Sequence, residues 1–543
     1  MGEPRISVIT AVYNPPREAF EDTVASMLGQ TFDQWEWVLA DDCSTEEWVR
    51  PRLRQLAATD ARVKVVERAE NGHIVAASNS ALAEATGEFV GLLDHDDVLD
   101  RQALSASLKA IDEAQAAGEI VDFCYSDQDK MSADGKLHDP YVKPDWSPER
   151  LRHHMYTSHF AVFRRDVVND MGGFRPGFEG SQDHDLVLRV TERARGIVHV
   201  PEVLYHWRKV EGSVAGDGTA KPYARDAGLR AVQEHLDRVG INATASPGAL
   251  RFTYKINRVP DTTTPTSVIM PTIGTRAVVW GQTRTLVTET IRSVLQRSRH
   301  ENIEFVVVYD SPTPESVLAD LRSLNDEFEA RIRLIEFREP FNFSAKCNVG
   351  AFHATGDVLI FLNDDMEAVS DGVPEHLIAP LREDGVGMTG AKLLFENGFI
   401  QHAGVTYGAG TIHHRYYGEL DGKGMLGDLT INRECSGLTA ACVAMRREVF
   451  EDAGGFNEGL PGNFNDVDLG QKVRGLGHRL VWLHDVVLYH FESATRQSEV
   501  RPFEARTMVA RWDNFKVVPE RYSNGLRLPP RVPETRLPAR PQK

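Results

Sequence analysis

Cysteine is scarce in this chain of 543 residues: Cys43, Cys124, Cys347, Cys435 and Cys442 are odd in number and show no C-x-x-C spacing. Neither a disulfide framework nor a thiolate zinc site is indicated, and these residues read as ordinary buried or half-buried thiols. Long apolar runs are missing too, since none approaches the roughly 20 residues of a membrane span. Positive charge is in the minority. The 61 Lys and Arg against 79 Asp and Glu leave a formal charge of -18, which argues against a nucleic-acid partner because phosphate binding calls for a basic face. A strand-like run starts within the first ten residues, leaving no room for a cleaved leader, so the expected location is the cytoplasm. Residues 10–15 and 270–274 hold no Gly-rich phosphate loop with a basic residue. That absence argues against a sugar-1-phosphate nucleotidyltransferase.

What the chain has in abundance is repetition. Ala85-Thr86-Gly87-Glu88-Phe89-Val90-Gly91-Leu92-Leu93-Asp94-His95-Asp96-Asp97 returns as Ala354-Thr355-Gly356-Asp357-Val358-Leu359-Ile360-Phe361-Leu362-Asn363-Asp364-Asp365, at a constant offset of 269. Each is an apolar run that ends abruptly in carboxylates. Such a run reads as a strand buried on both faces of a parallel sheet, and these sheets bind ligands beyond the carboxyl ends of their strands. Paired carboxylates there, with a nearby histidine, suit a hard divalent cation gripping a diphosphate.

The repeat runs on through Ser7-Val8-Ile9 and Ser267-Val268-Ile269, then Val38-Leu39-Ala40-Asp41-Asp42 and Val306-Val307-Val308-Tyr309-Asp310. Asn79 pairs with Asn348, Gly172-Gly173-Phe174 with Gly454-Gly455-Phe456, Asp183-His184-Asp185-Leu186 with Asp466-Val467-Asp468-Leu469, and Leu204-Tyr205-His206 with Leu488-Tyr489-His490. The offset drifts only from 260 to 284, so a whole domain is duplicated, not a small solenoid unit. Residues 1–250 form the expected first domain, 251–265 a linker of turn formers, and 266–496 the second domain. Residues 497–543 begin helix-like and end in a Pro/Arg-rich tail that cannot pack a core. That tail reads as solvated, with peripheral association to anionic lipid as the alternative.

In this order the motifs resemble the inverting family 2 glycosyltransferases of GT-A fold, and the resemblance covers nearly the whole chain twice. Domain one is similar to bacterial O-antigen and surface-polysaccharide members through residues 70–82, Leu93-Asp94-His95-Asp96-Asp97, Lys143-Pro144-Asp145-Trp146-Ser147 and Leu204-Tyr205-His206-Trp207-Arg208. The expected class is α/β, two tandem GT-A domains of Rossmann-like type. The Q-x-x-R-W signature of processive members is absent, because Met508 stands where Gln would precede Arg511-Trp512.

The resemblance implies roles for particular residues. Asp94, Asp96 and His206 would hold Mn²⁺ or Mg²⁺ in domain one, and Asp365 and His490 would do so in domain two, where Asn363 replaces the first carboxylate. Thr10, Tyr13, Asp41 or Asp42, Asn79 and Asp94 would contact the nucleotide sugar in domain one. Asp310, Lys346, Asn348 and Asn363 would do so in domain two, with Lys346 neutralising diphosphate. A carboxylate after the second strand suits the imide N–H of uracil or thymine, so UDP- or dTDP-linked donors are expected over GDP-linked ones. Asp183 and Asp466 match the general base, although either could instead be a helix cap preceding an apolar helical start. The implied acceptor is an oligosaccharide or a lipid-linked glycan at the inner face of the membrane. A domain that has lost turnover and serves as a carbohydrate- or nucleotide-binding module, domain two before domain one, stays open as the alternative.

Overall fold

The computed structural model describes residues 3–209, 222–328, 331–408, 411–491, 500–513 and 520–522. The end of the Pro/Arg-rich tail, residues 523–543, lies outside them.

The duplication is visible strand by strand. In the first half, Val63–Glu67, Trp35–Asp41, Ile6–Val12 and Phe89–Leu92 lie side by side and parallel, and the sheet continues through Ala161–Arg164, Phe123–Met131, Ile197–Arg208 and Val98–Leu99. The second half repeats that order with Arg331–Phe337, Ile303–Asp310, Thr266–Thr272, Val358–Leu362, Cys442–Arg446, Val386–Leu394, Arg479–His490 and Met366–Ala368. Only the first four strands are all parallel. Ala161–Arg164 and Cys442–Arg446 run antiparallel to their neighbours, so each sheet is mixed, parallel where the apolar runs predict burial on both faces. Two clusters line the two faces of each sheet. Val8, Val12 and Leu39 belong to one cluster of the first half, while Ile9, Val38 and Ala77 belong to the other.

Part of the repeated sequence serves the sheet and not the ligand. Ser7 donates to Glu36 at 2.6 Å, Thr86 also donates to that carboxylate, and Gly87 N–H donates to Ser7 Oγ at 2.8 Å. Ser267, Glu304, Thr355 and Gly356 repeat the arrangement. A Cβ on Gly87 would stand 2.7 Å from the Ser7 nitrogen, and one on Gly356 2.6 Å from that of Ser267. The Thr-Gly pair is thus fixed by close backbone approach at the amino ends of the strands, opposite the acidic ends.

The halves are joined by buried charge. Glu149, in the short helix Pro148–His153, takes Arg258 Nη1 at 2.8 Å, Arg258 Nη2 at 2.6 Å and Arg152 at 2.9 Å. Both guanidinium groups reach Glu383 of the second half. Glu434 of the second half accepts from Ser147 Oγ, from the Glu149 N–H and from Arg479. The stretch read as linker carries structure of its own, because Tyr254–Arg258 pairs antiparallel with Ala243–Pro247. Among the described residues no helix is long and apolar enough to cross a membrane.

Candidate functional site

In the first half, strand Phe89–Leu92 delivers Asp94 to a cavity whose far wall is the first turn of helix Gln182–Thr191, which carries Asp183. Ile9, Ala11, Met155 and His159 complete much of the lining. Asp94 meets solvent through the cavity mouth but is ringed by protein. Loss of bulk water, then the charges of Asp96 and Asp183, raise its carboxyl to about 7. Burial also raises Asp183, whose Oδ1 accepts the His184 N–H at 2.8 Å.

His206 lies near the end of the strand Ile197–Arg208, and its Nδ1 lies 2.7 Å from Asp129 Oδ1. A carboxylate at Nδ1 favours the tautomer with that nitrogen protonated, leaving the Nε2 lone pair for a ligand. Asp97 has a different task. It is buried, accepts from Tyr205 Oη at 2.6 Å and from the Arg208 N–H at 2.7 Å, and so anchors the acidic turn to the histidine strand. Burial, with Asp94 and Asp96 nearby, pushes its carboxyl well up.

The second half draws its predicted residues closer together. His490 Nε2 lies 3.1 Å from Asp365 Oδ1 and 3.3 Å from the Asn363 amide, while its Nδ1 lies 2.5 Å from Gln401 Oε1. Burial would raise Asp365, but His490 outweighs it and holds the carboxyl low. Asp364 accepts from Thr272 Oγ1 at 2.5 Å, and burial followed by the charge of Asp365 raises it to about 7. Lys346 is buried, donating to the Thr272 carbonyl at 2.7 Å and standing 3.1 Å from Asp310. Burial lowers its ammonium and Asp310 partly offsets the effect. Asp466 sits in the first turn of Asn465–Gly475, with Oδ1 2.8 Å from the Val467 N–H and Oδ2 3.3 Å from that of Ala440.

Among the described residues no three His, Cys, Asp or Glu side chains converge as a ready-made metal cage. The donors nevertheless fit a partly protein-held cation. Asp365 Oδ1 is buried without a hydrogen-bond donor and faces the imidazole Nε2, and Mg²⁺ is commonly bound by one or two carboxylates with substrate phosphates filling its shell.

Three residues expected to contact the donor are engaged within the protein. Thr10 alternates with Ile9 and Ala11, which line the cavity, so its side chain points to the opposite face, where it accepts from the Trp37 indole at 2.9 Å. Asn79 exchanges two hydrogen bonds with the Phe174 backbone, both 2.8 Å. Asn348 does the same with Phe456 at 3.0 and 2.9 Å. These amides clamp the Gly-Gly-Phe turns. A Cβ on Gly173 would come within 2.5 Å of Asn79 Oδ1, which explains the glycine.

Asp41 is engaged by Arg50 at 2.7 Å and by the Ser44 N–H, and Asp42 by Arg68 at 2.9 Å and the Gly72 N–H. Tyr13 is exposed at the end of its strand, with its N–H 3.4 Å from His95 Nδ1. Asp129, Gln401, Asp97 and Asp364 were not singled out from the sequence. For Asp129 a signal existed, because acidic residues alternate at Asp127 and Asp129 along Phe123–Met131.

Two sheets of one strand order, each with an acidic strand end and a helix-borne aspartate, define tandem GT-A transferase units. The chain belongs to glycosyl transferase family 2, whose model matches residues 7–172 and again 267–454. It is 38% identical over 540 residues to the uncharacterized protein y4gI of Sinorhizobium fredii, covering 97% of this chain and 58% of that one. It is 35% identical over 504 residues to the O-antigen biosynthesis protein RfbC of Myxococcus xanthus, covering 92% of this chain and 38% of that one. The chain therefore spans little more than half of one relative and well under half of the other. The crystal structure of S. aureus TarS 1–349 with UDP-GlcNAc aligns at 22% identity over 43% of this chain and 66% of that one, with a TM-score of 0.35.

Proposed function

We propose that the chain is a bifunctional, metal-dependent inverting glycosyltransferase that moves sugars from UDP- or dTDP-linked donors to a growing bacterial surface glycan, on an oligosaccharide or lipid-linked acceptor, at the cytoplasmic face of the membrane. The observation that carries this reading is the pairing of Asp94 with Asp183 across one cavity. A donor diphosphate belongs at the acidic strand end and an acceptor hydroxyl at the helix-borne carboxylate. The O-antigen name of one relative supports the glycan class.

In each site the acceptor hydroxyl gives its proton to Asp183 or Asp466 as its oxygen bonds to the anomeric carbon. The bond from that carbon to the diphosphate oxygen breaks on the opposite side, and the centre inverts. Mn²⁺ or Mg²⁺, held by Asp94, Asp96 and His206 in one site and by Asp365 and His490 beside Asn363 in the other, would supply charge neutralisation for the leaving diphosphate. Lys346 adds positive charge to the second site. Asp42 and Asp310 are assigned to the nucleobase.

Asn363 favours a second reading for domain two alone, as a non-catalytic nucleotide or carbohydrate module, because it removes one carboxylate from the set. A panel of nucleotide sugars assayed for diphosphate release, with and without Mn²⁺, tests both. Release by Asp183→Asn and by Asp466→Asn, each depending on a different sugar, supports two transferase sites. No release by Asp183→Asn with any donor leaves domain two as a binding module.

A further inference from the structure

Helix Pro502–Trp512 follows the strand that ends at His490 and lies beyond the boundary at residue 496 drawn from the sequence. It grips the loop leading to Asp466. Glu504, fully buried, accepts the backbone N–H of Gly462 at 3.0 Å and of Asn463 at 2.8 Å through Oε1, and the Asn463 side-chain amide at 3.0 Å through Oε2. Burial alone would raise its carboxyl, but these donors outweigh it and hold the group below the usual range. At the far end of the helix, Arg511 Nε and Trp512 Nε1 donate to Asp468 Oδ1 at 2.7 and 2.9 Å. Met508 and Trp512 pack on Leu460 and Val467. Asp466 is therefore bracketed, by clamped amides before it and a clamped carboxylate after it.

The residue in between makes the clamp consequential. Phe464 holds φ at 61°, a left-handed conformation that a bulky side chain keeps only when its surroundings enforce it. Glu504 pins the two residues just before it. The first half has a counterpart, since helix Pro222–Arg238 presents the Ala224 carbonyl to Ser181 Oγ at 2.8 Å, and Arg175 and Arg189 hold Asp185 there.

The geometry points to Glu504 as a positioning residue for Asp466, and to helix Pro502–Trp512 as an integral part of the second transfer site. This rests on Asp466 being the base of that site. The role of Glu504 is to fix the approach of the carboxylate to the acceptor oxygen, and a displacement of about 1 Å is enough to lower a rate by up to 10²-fold.

The test uses the full chain, with transfer by the first site as the internal control for folding. Glu504→Ala is expected to lower kcat of the second transfer by about 10- to 100-fold, with donor KM within about 2-fold and the first transfer unchanged. Glu504→Gln keeps one accepting oxygen toward the loop amides and should recover much of the loss. An unchanged kcat in Glu504→Ala, or a loss that lies entirely in KM, overturns the positioning role. If Glu504→Ala does not fold, Arg511→Ala carries the same test at a more exposed side chain, with the same kcat loss expected and the same results overturning it. Asp466→Asn is run in parallel. Second-site transfer surviving in Asp466→Asn defeats the base assignment, whereas an inactive Asp466→Asn beside a fully active Glu504→Ala defeats only the positioning role.

Discussion

Asp94 and Asp183 line the same cavity, one beyond a strand end and the other in the first turn of a helix, near enough that the charge of Asp183 helps to raise Asp94 to about 7. Like charges are gathered here at the edge of the cavity, where a cation or a proton offsets them.

In the metal-free protein that proton has a measurable consequence. An unfolded Asp94 titrates near 3.8, and the folded group holds its proton to about 7. Below the lower value both states are protonated. Between the two, the folded state keeps a proton that the unfolded state releases, so this contribution to stability is lost as pH rises through the window and is gone above it. Asp94→Asn should therefore match the wild type near pH 4 and exceed its thermal midpoint at pH 8, both in chelator. Asp94 still meets solvent, so the gain is small, roughly 2 °C. A difference independent of pH would refute the charge coupling.

The contact between His206 and Asp129 makes a separate prediction about metal. If Asp129 fixes the imidazole tautomer, Asp129→Asn should weaken Mn²⁺ binding at the first site by about 10- to 100-fold, as outer partners of metal ligands typically do. Transfer by that site should regain its rate at high Mn²⁺. Mn²⁺ titrations of first-site transfer check this, and full activity in excess chelator would remove the metal from the mechanism.

Much of this site was legible because the sequence states it twice. Asp96 and Asp365 stand just past the end of an apolar strand, and His206 and His490 near the end of another, and each pair recurs in register, whereas Asp94 gives way to Asn363. Repetition does not separate a ligand from a lock, however. Asn79 and Asn348 recur and each clamps a Gly-Gly-Phe turn, and strand alternation turns Thr10 toward the Trp37 indole. The grip of the extension on the second site was not legible, because Glu504 meets Gly462 across 42 positions and no local pattern announces such a partner. The interface cluster was equally hidden, with Arg258 and Glu149 109 positions apart.

That cluster predicts how the protein unfolds. Glu149, Arg152, Arg258 and Glu383 are all buried or nearly so, and Glu149→Ala would leave two guanidinium groups short of a partner in a poorly solvated place. Breaking a buried pair from one side typically costs about 3–5 kcal/mol. The urea midpoint of the full chain should fall accordingly, with both halves shifting together, because Glu383 and Glu434 tie the second half into the same network. Two resolved transitions, of which only the first half's moves, would mean that the halves fold independently.

The last prediction separates a base from a carboxylate that only supports the first turn of a helix. Asp183 and Asp466 each accept the N–H of the next residue at 2.8 Å, and Asn offers an oxygen to the same donor. Asp183→Asn and Asp466→Asn should therefore stay folded and still bind donor. If the carboxylates serve only the first turn of the helix, transfer survives, since Asn keeps an oxygen for the same N–H. If they take the acceptor's proton, each variant loses its own linkage by about 10²-fold or more and leaves the other intact. One linkage lost in both variants would instead indicate a single composite site. Product stereochemistry gives an independent check, because one displacement assisted by one carboxylate must invert the donor's anomeric centre. A retained configuration in the NMR spectrum of the product would rule out the mechanism even where the variant is inactive.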